Sequence, residues 1–149
     1  MINLKGVNLW TYDYTEFSRY VLCVTTNGDV NMNGRAVMGR GVALQVRNRI
    51  PGIDQVLANR IKEEEGPFTG FLDNTIYSFA VKYHWSQKAS LELIKESAII
   101  LQDDAEANPE KIFILPRPGC GNGHLIWRDV NEVIKPILGD NIICVTNQR

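Results

Sequence analysis

The segment best suited to chemistry reads GCGNGH and occupies residues 119–124. It follows an apolar run at residues 112–115 that Pro116 ends, and a helical pattern begins near Trp127. Small residues let the backbone approach a phosphate, and free N–H groups can then donate to its oxygens. This succession of strand, glycine loop and helix predicts a binding site for a phosphorylated ligand.

A second glycine loop lies earlier in the chain. It reads MGRGVA at residues 38–43 and leads into another helical pattern. Two such loops can hold two phosphates, or both sides of a pyrophosphate. The sequence contains neither GxxxxGKS nor GxxxxGKT, which excludes a P-loop. It also lacks GxGxxG after its first strand, which argues against the usual dinucleotide-binding fold.

Lys82 is the candidate nucleophile. It ends a third apolar run, at residues 74–81, and is followed by His84 and Trp85. A lysine amine attacks only when it is deprotonated, which requires burial or a neighbouring positive charge to lower its pKa. His84, and His124 in the second glycine loop, could act as acid or base because histidine titrates near neutral pH. The alternatives are a surface lysine, histidines that only form hydrogen bonds, and a tryptophan that packs rather than stacks on a base.

The three cysteines indicate neither a disulfide framework nor a zinc site, because their number is odd and no CxxC spacing occurs. Cys23 and Cys144 lie in apolar runs, so we expect them to be buried in strands. Cys120 lies in the second glycine loop, where a reactive role is the less favoured alternative. No cluster of histidine, cysteine and aspartate has ligand spacing, so we expect neither a metal nor a cofactor.

Strands that alternate with helices must position these residues. Apolar runs predict strands at residues 2–4, 20–25, 74–81, 112–115 and 141–146, and a short edge strand or turn at 68–73. Helical spacing predicts helices over 42–49, after Pro51-Gly52, after an N-cap at Ser90 and after Trp127, with a helical turn at 16–20.

The alternation predicts a single domain over residues 1–149. Its fold class is a three-layer α/β/α sandwich with a mixed, largely parallel central sheet. In such sheets ligands bind beyond the carboxyl ends of the strands. The loops at 27–43, 82–85 and 116–124 each follow a strand, so they would meet there.

Composition excludes several classes of protein. The net charge of −1 provides no extended surface for DNA or RNA, although a single nucleotide could still be recognised. No apolar run approaches the roughly 20 residues that span a bilayer, and the N-terminus lacks the shape of a signal peptide. We therefore expect a cytoplasmic monomer without membrane attachment.

The motifs VMGRGVALQ and LPRPGCGNGHLIW together resemble the macro domain family, whose members bind ADP-ribose. The resemblance covers nearly the whole chain, with the motifs in the same order and spacing. It is strongest to the branch of ADP-ribosyl hydrolases with a catalytic lysine, which includes antitoxins of DNA-ADP-ribosylating toxins and an enzyme that releases ADP-ribose from glutamate. In that branch a strand ends in a lysine, and a later PRxGCG loop precedes a tryptophan. Here IYSFAVK ends in Lys82, and PRPGCG precedes Trp127.

The resemblance implies ligand contacts for individual residues. Asn8 matches a position where many macro domains place an aspartate that accepts from the adenine amino group. The amide loses a charge-assisted bond, worth roughly 1 kcal/mol more than a neutral one. Asn27 resembles the asparagine that holds the distal ribose, with a turn-forming asparagine as the alternative. The two phosphate loops comprise Met38, Gly39, Arg40, Gly41, Val42 and Ala43, and Pro118, Gly119, Cys120, Gly121, Asn122, Gly123 and His124.

The resemblance also implies that Lys82 attacks the anomeric carbon of the distal ribose, opens the ring and releases the attached group. The glutamate-releasing enzyme pairs this lysine with an aspartate in the second loop, where this chain has Gly123. The antitoxin members also have glycine there. Hydrolysis therefore stays open, while a mechanism that uses a loop aspartate is excluded.

Three functions are consistent with the resemblance. The first is an ADP-ribosyl hydrolase that removes ADP-ribose from a modified protein or nucleic acid. The second is a phosphatase acting on ADP-ribose 1″-phosphate, with His124 as the candidate base or nucleophile. The third is a non-catalytic reader of ADP-ribose. The expected partner is ADP-ribose or an ADP-ribosylated macromolecule.

Overall fold

The computed structural model describes residues 1–149 and contains one six-stranded sheet. Its strands are β1 (Ile2–Lys5), β2 (Tyr20–Thr26), β3 (Gly70–Phe71), β4 (Ile76–Ala80), β5 (Ile112–Pro116) and β6 (Ile142–Thr146). Their order across the sheet is β1-β6-β5-β2-β4-β3, and only β3 runs antiparallel to its neighbour. The prediction of a mixed, largely parallel sheet is confirmed.

Four helices cover the two faces of the sheet. They are α1 (Gly41–Arg49), α2 (Ile53–Glu64), α3 (Leu91–Ala107) and α4 (Trp127–Ile134). Alternate residues of β2 face opposite sides, as the pleat of a strand requires. Leu22 and Val24 pack in one buried core with α1 and α2, while Val21 and Cys23 pack in another with α3 and α4. The three-layer sandwich is therefore confirmed.

Some element boundaries differ from the predictions. No helix forms at residues 16–20, where a turn leads into β2. β4 begins only at Ile76, because the Asp73 carboxylate accepts from the amides of Thr75 and Ile76 and holds a turn there. The loop near the N-terminus contains one 3-10 turn, Leu9–Thr11.

The parallel strands place the loops after β2, β4, β5 and β6 at one edge of the sheet. Ser90 caps the start of α3, as predicted, because its hydroxyl accepts from the Leu93 amide. No helix is both long enough and apolar enough to cross a membrane. The loops that contain the candidate functional residues therefore lie at the carboxyl edge of the sheet.

Candidate functional site

Two pockets with shared walls form a cleft at the carboxyl edge of the sheet. The lysine pocket has a volume of about 500 Å³ and is lined by Asn27, Lys82 and Trp85 among others. The Asn8 pocket has a volume of about 570 Å³ and is lined by Asn8 and Trp127 among others. Residues common to both are Gly41, Val42, Pro116, Arg117 and Gly121. The loops that the sequence predicted to meet therefore border the same cleft.

The first glycine loop places free backbone amides at this cleft. α1 begins at Gly41, whose φ of 56° favours glycine. The first amide of the helix with a backbone acceptor is that of Leu44, which donates to Arg40 O at 3.2 Å. The amides of Gly41, Val42 and Ala43 lack acceptors within the helix, as at any helix start, and these residues line the lysine pocket. They supply one half of an anion site.

The second glycine loop supplies the other half. The amides of Gly121, Asn122 and Gly123 have no acceptor within the protein, and these residues also line the lysine pocket. The two loops approach each other closely, since a Cβ at Gly41 would lie 3.0 Å from Asn122 Nδ2. Unpaired amides therefore border the cleft from two sides.

The cleft is also positively charged. Arg40 and Lys82 line the lysine pocket, Arg117 lines both pockets, and no aspartate or glutamate lines either. The Arg117 guanidinium lies over the Trp127 ring, 4.6 Å from its centroid, which holds the charge at the cleft wall. In a chain with a net charge of −1, this local concentration of positive charge favours an anionic ligand.

The Lys82 amine faces backbone carbonyls. Its Nζ donates to Asn122 O at 3.0 Å and to Trp85 O at 3.3 Å. Burial, and after it the Arg40 guanidinium, lowers the pKa of Lys82 below its ordinary value. A lower pKa increases the fraction of neutral amine at a given pH, and the neutral amine is the nucleophilic form.

Packing explains why glycine occupies position 123. A Cβ there would lie 2.5 Å from Gly119 O and 2.7 Å from Ala89 Cβ. The Gly123 carbonyl also accepts from the Ala89 amide at 3.0 Å. No side chain fits at this position unless the loop moves, so this backbone does not accommodate an aspartate at position 123.

The two asparagines matched to the family both line the cleft, and both also serve the backbone. Asn8 Oδ1 accepts from Trp10 N at 2.9 Å, while its Nδ2 has no acceptor in the protein. Asn27 Nδ2 donates to Val37 O at 3.0 Å, and its Oδ1 accepts from Asp29 N at 2.9 Å. Asn27 is therefore a turn-forming asparagine, and its contact with a ribose stays a prediction.

Three predicted ligand residues do not line the cleft. Met38 is buried in the core with α1 and α2, because its apolar side chain faces the sheet. Pro118 is buried, and His124 is exposed outside both pockets with a φ of 61°. Their positions do not support ligand contacts by Met38 and Pro118 side chains or an acid–base role for His124. The other loop residues line the cleft, namely Gly39, Arg40, Gly41, Val42, Ala43, Gly119, Cys120, Gly121, Asn122 and Gly123.

The surroundings of the cysteines do not favour a nucleophilic thiolate. Cys120 lines the Asn8 pocket, and burial raises the pKa of its thiol, although Arg117 acts in the opposite direction. A raised pKa leaves little thiolate, which is the reactive form. Cys23 and Cys144 are buried, as predicted.

Sequence reasoning did not single out several residues of the cleft, among them Arg117 and Gln45, and it left the role of Trp85 open. Arg117 lies within the PRPGCG motif, so the motif itself contained the signal. Gln45 lines the Asn8 pocket, and its position four residues after Gly41 could have placed it on the same helix face. Trp85 is 53% exposed and lines the lysine pocket, so the choice between packing and stacking on a base stays open.

No model of a known protein family matches the chain. The chain is 32% identical over 111 residues to the DNA ADP-ribosyl glycohydrolase of Mycobacterium tuberculosis. That alignment covers 68% of this chain and 31% of the relative, so the chain spans about a third of the relative's length. It is also 25% identical over 109 residues to the ADP-ribose glycohydrolase OARD1 of Bos taurus, covering 73% of this chain and 72% of the relative.

Solved structures have the same fold. The macrodomain of Mycobacterium tuberculosis DarG matches with a TM-score of 0.72 and 26% identity over 97% of both chains. Thermosipho africanus DarTG in complex with ADP-ribose matches with a TM-score of 0.69 and 23% identity, over 89% of this chain and 39% of that one. The chain is therefore a macro domain, related to the DarG DNA ADP-ribosyl glycohydrolases and to OARD1.

Proposed function

We propose that the chain binds ADP-ribose in this cleft and hydrolyses the bond between ADP-ribose and a modified macromolecule. The observation that carries the proposal is the pair of glycine loops with unpaired amides, next to a lysine whose pKa is lowered. The relatives named as ADP-ribosyl and ADP-ribose glycohydrolases support the reaction class.

The two pockets suit the two ends of ADP-ribose. The diphosphate fits between the loops, where Gly41, Val42 and Gly121 line both pockets. Arg40 and Arg117 supply two positive charges for its two negative charges. The adenosine then occupies the Asn8 pocket, and the distal ribose occupies the lysine pocket.

In this arrangement Lys82 is the nucleophile. The Nζ lone pair forms a bond to C1″ of the distal ribose, and the carried group leaves with the electrons of its own bond to C1″ and takes up a proton. The resulting glycosylamine opens to an imine. Water then hydrolyses the imine, which releases ADP-ribose and restores the amine.

The test compares wild type with Lys82→Ala on an ADP-ribosylated DNA oligonucleotide and on a protein modified at glutamate. We expect Lys82→Ala to lower the rate of ADP-ribose release by roughly 100-fold or more. Lys88→Ala is the matched control, because Lys88 is an exposed lysine on the same connection that lines neither pocket. Equal release of ADP-ribose by wild type and Lys82→Ala would contradict the lysine mechanism. The substrate that wild type prefers would show whether the modified macromolecule is DNA or protein.

A non-catalytic reader is the second candidate. The two carbonyl oxygens that accept from Lys82 Nζ suit an ammonium as well as an amine, so the same site could hold ADP-ribose without attack. A reader would bind ADP-ribose in calorimetry and release none from either substrate. The phosphatase alternative has less support, because its candidate base, His124, lines neither pocket.

A further inference from the structure

Asp29 connects the loop after β2 to the turn that follows β4. Its Oδ2 accepts from the Trp85 amide at 2.7 Å, and its Oδ1 accepts from His84 Nδ1 at 2.9 Å. The Asp29 side chain is 22% exposed, while its partner His84 is 62% exposed. One carboxylate therefore fixes two consecutive residues of the turn.

Asp29 is itself held firmly. Its amide donates to Asn27 Oδ1 at 2.9 Å, and its carbonyl accepts from Val37 N at 3.0 Å. The neighbouring Gly28 amide donates to Tyr83 O at 3.1 Å. A Cβ at Gly28 would lie 2.8 Å from that carbonyl, so the two segments are in direct contact. The backbone that carries the Asp29 carboxylate is therefore held by several hydrogen bonds.

One of the two residues that Asp29 holds, Trp85, is also one of the two residues that accept from Lys82 Nζ; the other acceptor is Asn122 O. Trp85 donates its amide to Asp29, and its carbonyl accepts from Lys82 Nζ at 3.3 Å. Its indole also lines the lysine pocket. Asp29 lines neither pocket, so it does not contact a ligand directly.

We propose that Asp29 is a positioning residue for Lys82: it orients the Trp85 carbonyl and thereby aims the amine at the distal ribose. The proposal rests on the proposed function. Asp29 acts through hydrogen-bond geometry, because its carboxylate is already satisfied by the Trp85 amide and His84. Through Trp85, Asp29 would fix one of the two acceptors of Lys82 Nζ, while Asn122 O supplies the other.

The test compares Asp29→Ala and Asp29→Asn with wild type. We expect Asp29→Ala to lower kcat roughly 10- to 100-fold while the Kd for ADP-ribose changes less than about threefold, because the phosphate loops stay intact. Asp29→Asn should recover most of the rate, since the amide oxygen can still accept from Trp85 N. Asp13→Ala is the matched control, because that carboxylate also makes two local bonds, to Thr15, and lines neither pocket.

A second measurement does not require turnover. Acetic anhydride labelling of Lys82, followed by peptide mass spectrometry across a pH series, reports when the amine loses its proton and how accessible it is. We expect Asp29→Ala to shift the labelling midpoint to higher pH, because a released amine is better solvated. Asp13→Ala should leave the midpoint unchanged.

The outcomes separate this proposal from the proposed function. If wild type releases no ADP-ribose, the hydrolase function fails and the labelling midpoint alone decides the role of Asp29. An Asp29→Ala protein with wild-type kcat, or with an unchanged midpoint where no turnover exists, would overturn the proposal. An Asp29→Asn protein that is as impaired as Asp29→Ala would also overturn it. So would an Asp29→Ala protein whose affinity for ADP-ribose and Tm fall together with its rate.

Discussion

At the scale of single residues, the surroundings of Lys82 determine what its amine can do. Two carbonyl oxygens accept hydrogen bonds from Nζ, and neither brings the full negative charge that would stabilise an ammonium. Burial and the Arg40 guanidinium both disfavour the ammonium. The two hydrogen bonds therefore orient the amine without a negative charge that would stabilise its protonated form.

We expect this balance to appear in the pH dependence of the reaction. Because the pKa of Lys82 is lowered, kcat/KM should rise with pH through that pKa and level off above it, at a lower pH than for a lysine with the usual pKa near 10.5. Arg40→Gln removes a positive charge that favours the neutral amine, so the pKa of Lys82 should rise. The rising limb should then move to higher pH, measured as initial rates of ADP-ribose release across a pH series.

Arg117→Gln is the control for that measurement. Arg117 lines the same pocket but does not contribute to the lowered pKa of Lys82. Loss of the Arg117 charge should weaken the binding of ADP-ribose through its diphosphate, while the rising part of the pH profile should stay at the same pH. If the rising part of the pH profile of kcat/KM moves equally in both variants, or in neither, the role assigned to Arg40 is contradicted.

At the scale of the elements, the second glycine loop owes its shape to packing at Gly123. We expect Gly123→Ala to lower the free energy of unfolding by about 1–3 kcal/mol, because a Cβ 2.5 Å from Gly119 O forces the loop to move. Gly121→Ala in the same loop is the matched control, since a Cβ there meets no atom within 4 Å. Denaturant titration measures both, and equal stability of the two variants would show that the loop tolerates a side chain at 123.

The same loops show what a sequence pattern can and cannot specify. The glycine loops and the lysine just after β4 are predictable, because each depends on residues that are neighbours in the chain. The contact between Asp29 and Trp85 joins residues 56 positions apart, and nothing near Asp29 in the sequence indicates its partner. For a related reason, the burial of Met38 was not predicted and the role of His124 was left open between an acid or base and a surface residue. A motif specifies where backbone amides lie but not the direction of the flanking side chains.

At the scale of the whole molecule, parallel strand order brings distant loops to one edge, where the local charge differs from the overall charge. The chain has a net charge of −1, while the cleft is lined by Arg40, Lys82 and Arg117 without an acidic residue. The proposed recognition of ADP-ribose would therefore depend on charge that is confined to the cleft.

ADP-ribose should stabilise the fold more than either of its halves does, because only the whole ligand reaches both pockets through the shared loops. A ligand that binds only the folded state adds about 2.7 kcal/mol at 100 times its Kd. In thermal unfolding at equal concentrations, we expect ADP-ribose to raise Tm more than AMP or ribose 5-phosphate, each of which would fill only one pocket in the proposed binding mode. Equal shifts with AMP and ADP-ribose would contradict occupation of the lysine pocket, and no shift with ADP-ribose would contradict binding in the cleft.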